Sequence, residues 1–317
     1  QNRGTVAFGA KSSDLGVICD IVDHTITAIE TAEGHGGWCA LREADIFAVE
    51  YWELEQAKLG KASNVPAFQG RCALVTGGAS GIGRACAIAL AEQGARVTVL
   101  DKDPSVLAVF DSPNIQGRIC DVKDAQAVRE SIAESVSTFG GLDILVNNAG
   151  IFSASDEVAD MPEDEWQRSL DINLTGAMHV ARESIPYLKL GWDPSVIIVG
   201  SKNVPAPGPA AGAYSVAKAG LTQLARVLAL ELAADGIRVN TVHPNAVFDT
   251  AIWTDEVLEG RAAHYGMSVE DYRRNNLLRQ EVTSADVAAV ICAMAGSAFR
   301  CTTGAQLPID GGNERVL

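Results

Sequence analysis

From residue 72 onward, short apolar runs alternate with longer stretches in which small and apolar residues recur at helical spacing. CALVT (72–76), RVTVL (96–100), GRIC (117–120), DILV (143–146), SVIIVG (195–200), IRVNTV (237–242) and QLPI (306–309) read as strands, because parallel strands buried on both faces are near-continuous apolar runs. The spacing between them predicts helices from the first glycine cluster to Gly94, near 124–138, near 163–190, over about 209–233 and near 284–296. Repeated β-α-β units imply an α/β protein with one parallel, doubly wound sheet of about seven strands and right-handed crossovers. Ligands of such sheets bind at the carboxyl ends of the strands.

The first sixty residues follow a different pattern. Leu15, Ile18, Val22, Ile26 and Ile29 lie at helical spacing, and GHGG (34–37) stops that helix. A second, polar-rich segment covers 41–61, and ASNVPAFQG (62–70) reads as a linker broken by Pro66 and Gly70. Neither helical piece has partners enough to fold alone. The expectation is a small helical appendage, residues 1–62, ahead of one large domain, residues 63–317.

Composition narrows the function. The formal net charge of −15 disfavours nucleic acid and anionic membrane as partners, since either needs a basic face. Seven cysteines, scattered and never in C-x-x-C spacing, argue against a disulfide framework and against a thiolate metal site, and read as small buried residues in a reducing compartment. No apolar run reaches the length of a membrane span, and the first residues lack a signal-peptide core. A cytoplasmic protein is the default. The chain begins with Gln1 rather than Met, so a natural start further upstream is expected.

The candidate chemistry sits where strands end. In TGGASGIG (76–83), Gly77 permits a tight turn, Gly81 lets a pyrophosphate approach the backbone, and Gly83 lets helix and strand pack closely; Ser80 and Ile82 lie between them at the helix N-terminus. Asp101 ends the second strand, where its carboxylate can accept from a ribose diol and repel a 2′-phosphate; this predicts NAD over NADP, although Lys102 leaves some room for NADP. Asp121 and Val122 close the third strand as candidates for adenine. In NNAG (147–150), Asn147 can hydrogen-bond backbone across neighbouring strands, and Asn148, Ala149 and Gly150 are candidate cofactor contacts. Tyr214 and Lys218 stand one helical turn apart in AYSVAKAG (213–220), so they project the same way. A phenol ionises at about pH 10, and a nearby ammonium lowers that value toward the working range.

TGGASGIG, NNAG, Asn173 in DINLTG, Ser201, YSVAK and TGAQLPIDGG, in that order, resemble the short-chain dehydrogenases/reductases over residues 67–317. The resemblance implies a Rossmann-type fold and an NAD(P)-dependent oxidoreductase acting on CH–OH groups. It implies Tyr214 as proton acceptor and donor, and Lys218 as its pKa-lowering neighbour and ribose ligand. Ser201 would hold the substrate oxygen, and Asn173 would support a proton relay. Pro244 and Val247 join the cofactor-binding candidates, no metal is assigned, and a homodimer or homotetramer is expected. A dinucleotide-binding sensor or scaffold that has lost catalysis, a vestigial dehydrogenase behind an aldolase tail, and an NADP-dependent carbonyl reductase are the competing readings.

The chain departs from the family pattern in three places. Where a Ser-Ser pair is usual it has SKN (201–203), so Lys202 either brings charge to the substrate mouth or is a solvated loop lysine. HPN (243–245) stands where Pro-Gly is common; Asn245 can adopt the left-handed turn, and His243 is either a contact of nicotinamide or substrate or a satisfied loop histidine. Pro205, Pro207 and Pro209 stiffen the approach to Tyr214 as a rigid wall. The insertion from Phe248 to about Thr283 corresponds to the family's substrate lid and carries Trp253, Arg261, His264, Tyr265, Arg273 and Arg274, where arginines suit a carboxylate or phosphate but also solvated helix faces. The segment GVICDIVDHTITAIETAEGHGGWCALREADIFAVEYWELEQAKLGK resembles the end of the class II aldolase half of bifunctional aldolase/short-chain dehydrogenases. That resemblance implies a covalent aldolase domain upstream. It makes a small hydroxyaldehyde such as lactaldehyde, or a sugar, a candidate substrate.

Overall fold

The computed structural model describes residues 12–40, 42, 45, 66–153 and 155–312. The polar segment 41–61, apart from Arg42 and Asp45, and the first part of the linker lie outside the described residues. Helix α1, Ser12–Glu33, leaves Ile21 and Ile26 exposed, while Ile18, Val22 and Ile29 are half-buried.

The main body is a seven-stranded sheet with strand order β3-β2-β1-β4-β5-β6-β7 and every pair parallel. The strands are β1 Cys72–Thr76, β2 Arg96–Asp101, β3 Ile115–Ile119, β4 Ile144–Asn147, β5 Ser195–Val199, β6 Arg238–Pro244 and β7 Gln306–Ile309. Between β1 and β4 the winding reverses, and in sheets of this kind the place beyond the carboxyl ends at that switch point is where ligands bind. Successive residues of one strand point to opposite faces, so Ala73 and Val75 enter one core and Leu74 the other. The first core packs α2, Gly81–Glu92, against the late helix α9, Ser284–Ala295, through residues such as Cys86, Leu90, Val287 and Ile291. The second covers the opposite face with α3, Ala125–Phe139, α5, Ala177–Leu188, and α6, Gly212–Leu232.

The differences from the sequence pattern have local causes. Strand β3 starts at Ile115, two residues ahead of GRIC, because Val97 and Thr98 of β2 extend the ladder to Ile115 and Gln116. The helix expected near 163–190 is split into α4, Glu163–Leu170, a π-helical turn Asp171–Gly176, and α5. Helix α6 begins at Gly212 and not near 209, since Ala210 just ahead of it has φ +58° and cannot be helical. Inside the insertion lie two short helices, α7 Asp255–His264 and α8 Val269–Arg273. Cys72, Cys86, Cys120 and Cys292 are buried, as their size suggests, whereas Cys19, Cys39 and Cys301 are exposed. Among the described residues no helix is long and apolar enough to cross a membrane.

Candidate active site

The glycine loop forms because its backbone conformations and close approaches exclude side chains. Gly77 and Gly81 take φ values of +65° and +52°. A Cβ on Gly83 would lie 2.2 Å from the Gly77 carbonyl oxygen, and one on Gly77 would lie 2.7 Å from Ala149 Cα. Ser80 is the N-cap of α2 but makes no capping bond with its side chain, and the first turn carries no acid. The helix therefore presents free amides and its positive end beyond the carboxyl ends of the strands, a donor set that fits a dinucleotide pyrophosphate. Thr250, at the root of the insertion, places its methyl group 3.1 Å from the position of a Gly81 Cβ and so walls the same loop.

Asp101 stands at the end of β2 beside this loop. Its Oδ2 accepts from the Ala79 amide at 2.9 Å and its Oδ1 from the Asp103 amide at 2.9 Å, which fixes the carboxylate and leaves each oxygen a second lone pair. Asp121 Oδ1 accepts from the Lys123 amide at 3.0 Å and shapes the turn after β3. Val122 and Val247 are buried in the two cores, and Ile82 packs against the first of them. Pro244 closes β6 and is buried. The cross-strand role expected of Asn147 belongs to its neighbour. Asn147 donates to the Ala177 carbonyl at 2.8 Å, whereas Asn148 Nδ2 reaches the carbonyls of Thr76 and Gly77 at 2.9 and 3.0 Å and locks β4 to the glycine loop.

The structure brings Asn173, Ser201, Tyr214 and Lys218 together. The π turn carries Asn173 inward, where Oδ1 accepts from the Ile151 amide at 3.0 Å and Nδ2 donates to the Ile151 carbonyl at 3.1 Å. A Cβ on Gly150 would stand 2.7 Å from Asn173 Oδ1 and 3.3 Å from Lys218 Nζ, so glycine alone leaves room for both. Ser201, buried just beyond β5, stands beside the Tyr214 phenol, and its hydroxyl acts to lower the phenol's pKa. Phe152 packs against Tyr214 at 4.9 Å between ring centroids; the apolar pair that follows NNAG is its signal in the sequence.

One electrostatic expectation is corrected. Lys218 Nζ lies 5.9 Å from the Tyr214 ring centroid and donates to the Val199 carbonyl at 2.9 Å. Burial pushes the phenol pKa up, opposed by the Ser201 hydroxyl, and burial brings the Lys218 ammonium down to about 8. Through the Val199 carbonyl, Lys218 ties α6 to the end of β5.

The departures resolve as packing. Lys202 is neither solvated nor free in the substrate mouth; it is buried and ion-paired with Asp310 of the turn after β7. The left-handed residue after β6 is Ala246, φ +50°, and not Asn245. His243 is a buried histidine with partners at both ring nitrogens. Pro205, Pro207 and Pro209 are exposed, with the buried Ala206 between the first two. In the insertion, Arg273 pairs with Glu281 at 3.3 Å and Arg274 with Glu270 at 3.6 Å. Phe248, Trp253 and Tyr272 form an aromatic cluster with centroids 4.8 to 6.2 Å apart, and Tyr265 stacks on Tyr272. The base of this insertion is tied down where Asp249 accepts from the Ser284 amide and hydroxyl at 2.9 Å.

Residues 77–314 match the family model described as enoyl-(acyl carrier protein) reductase. The chain belongs to the short-chain dehydrogenase/reductase family. Members of this family act on alcohol and carbonyl groups, and this chain is one of its oxidoreductases. Residues 1–59 match the model for the second domain of class II aldolases, which supports an aldolase remnant ahead of the dehydrogenase. The uncharacterized oxidoreductase YuxG of Bacillus subtilis is 36% identical over 90% of this chain, and the chain spans only 44% of that relative's length. The (-)-trans-carveol dehydrogenase of Rhodococcus erythropolis is 33% identical over 77% of this chain and 97% of its own. A 2-dehydro-3-deoxy-L-rhamnonate dehydrogenase (NAD(+)) of Sphingomonas sp. is 31% identical over 77% and 96%. Among solved structures, an NAD+-bound xylitol dehydrogenase superposes with TM-score 0.72 at 28% identity, over 77% of this chain and 99% of that one.

Proposed function

We propose that this short-chain dehydrogenase/reductase is NAD-dependent and interconverts a small alcohol and its carbonyl, with a hydroxyaldehyde such as lactaldehyde, or a sugar, as substrate. The observation that carries this reading is the convergence of Ser201, Tyr214, Lys218 and Asn173 at the end of the sheet that carries the glycine loop. A bound nicotinamide supplies the hydride acceptor or donor. The rest falls to the chain. Gly77 makes the turn, its own amide donating to the Leu100 carbonyl, and the amides of Ser80–Gly83 hold pyrophosphate, Asp101 the adenosine ribose, and Asp121 and Val122 the adenine; Asn148–Gly150, Pro244 and Val247 line the remainder. Ser201 holds the substrate oxygen, and Tyr214 Oη takes the hydroxyl proton on oxidation and returns it on reduction. Lys218 binds ribose hydroxyls and, with Asn173, passes the proton to water.

The Asp101 carboxylate, unable to accept a 2′-phosphate without repulsion, supports NAD. The names of two relatives, one specifying NAD(+) and a sugar acid and one an NAD+-bound polyol dehydrogenase, point the same way. The aldolase match over 1–59 supports an appendage at 1–62, a dehydrogenase domain at 63–317 and a hydroxyaldehyde substrate. We place the protein as a homodimer or homotetramer. The test is a panel of small alcohols, sugars and hydroxyaldehydes followed by NADH absorbance, with NADP in parallel. Tyr214→Phe is expected to keep NAD binding and to lower turnover by about 10²–10⁴-fold. Preference for NADP would overturn the role of Asp101, and NAD binding without turnover of any panel compound would leave a dinucleotide sensor.

A further inference from the structure

The buried His243 at the end of β6 is not used by the mechanism, yet it touches the peptide that carries Ser201. Its Nδ1 lies 3.0 Å from the Ser201 carbonyl oxygen and 3.1 Å from the Ser201 amide nitrogen. Only one of these is a bond at a time: a protonated Nδ1 donates to the carbonyl, and a bare Nδ1 accepts from the amide. The choice is made on the far side of the ring. Gln306 of β7 faces His243 Nε2 at 3.0 Å and, with its other amide atom, the Arg226 guanidinium. A guanidinium offers donors only, so the atom turned to Arg226 is the amide oxygen, accepting at 2.8 Å from Nε and 2.9 Å from Nη2. The amide nitrogen then donates to His243 Nε2, and the ring proton is left on Nδ1.

Gly200 is built for this ring, since a Cβ there would stand 2.6 Å from His243 Nδ1. Arg226 lies on α6, two turns beyond Lys218, so the chain of contacts runs from the helix of Tyr214 and Lys218 through β7 and β6 to the peptide of Ser201. We propose that His243 is a positioning residue for Ser201: its Nδ1–H holds the Ser201 carbonyl, and Gln306, anchored by Arg226, fixes that tautomer and so the place of the Ser201 hydroxyl relative to Tyr214. This rests on the catalytic reading of Ser201 and adds a residue that touches neither substrate nor cofactor.

The experiment compares His243→Asn with His243→Gln. The Asn side chain puts its amide where Nδ1 was, whereas the Gln amide reaches only the place of Nε2. With the panel compound turned over fastest, His243→Gln is expected to lose about tenfold or more in kcat with the KM for NAD little changed, and His243→Asn to recover most of it. Because the Ser201 hydroxyl lowers the Tyr214 pKa, His243→Gln also moves the tyrosinate absorbance titration of Tyr214, assigned by subtraction of Tyr214→Phe, to higher pH, and His243→Asn returns it. Nitrogen-15 spectra of histidine-labelled wild-type protein are expected to show His243 with its proton on Nδ1. A proton on Nε2, or equal losses in both variants with an unmoved Tyr214 titration, overturns the proposal. The spectrum and the titration need no turnover, so they decide the point even if no panel compound reacts and the functional reading itself fails.

Discussion

Lys218 shows how one buried charge connects folding to pH. It is 3% exposed, and burial lowers its pKa from 10.5 to about 8. Between those values the unfolded chain holds a proton that the folded chain has released, so the unfolded state binds more protons and folding stability rises with pH across the window. The burial penalty is present in full below about pH 8 and is gone above about 10.5, a span of about 3 kcal/mol by the usual conversion. Urea unfolding of the cofactor-free protein at about pH 7.5, below that span, and at about pH 10, near its top, is expected to show most of this gain in wild type. In Lys218→Met, which fills the same space without a charge, the gain is expected to vanish; an equal gain in both proteins would refute the assignment. What the sequence shows at this scale is that Tyr214 and Lys218 share a face. It hides where the ammonium points, since the acceptor is the Val199 carbonyl on β5. The same blindness explains Lys202, whose partner Asp310 lies 108 residues away, so that local polarity suggested solvent.

At the scale of elements, the strand-turn-helix unit around the glycine loop was readable because its constraints are local: a buried apolar strand, left-handed glycines and a helix N-terminus. The split of the 163–190 helix was not readable, because the cause is tertiary. Asn173 bonds both polar groups of Ile151, and the backbone widens into a π turn to bring it there. The helices of the insertion were equally hidden: α7 has only Leu258 and Ala262 buried, too little apolar periodicity to stand out from a polar insertion. The unit that was readable is also the least tolerant of change. Gly83→Ala would drive a methyl group into the Gly77 carbonyl oxygen at 2.2 Å and the Asn148 amide at 2.6 Å, and the first of these is backbone. The loop has to shift away from Asn148. The expected result is a loss of about 1–3 kcal/mol in denaturant stability and a rise in the NAD dissociation constant of at least about tenfold by calorimetry, as overpacking and a displaced pyrophosphate cradle require. Unchanged NAD affinity would mean that the amides at the start of α2 do not hold the pyrophosphate.

For the whole molecule, the outer face of α6 raises the question of assembly. Val216, Val227 and Leu230 are exposed, and their spacings of 11 and 3 residues set them on one side of the helix. The inner side of the same helix buries Leu221, Ala225, Leu228 and Leu232 against the sheet, so the exposed stripe has no partner within the described residues. A net charge of −15 opposes nonspecific association between copies, which means that any stable contact has to come from a matched apolar surface. A two-fold axis through α6 supplies such a match, since each stripe then meets its own copy. The expectation is a dimer or tetramer in light scattering at micromolar concentration. Leu230→Asp places one carboxylate near its symmetry mate on an apolar seam, and a fall to about half the wild-type mass is expected, with the fold retained by circular dichroism. If Leu230→Asp leaves the mass unchanged, the α6 face is not the seam; a wild-type monomer would remove the oligomer altogether.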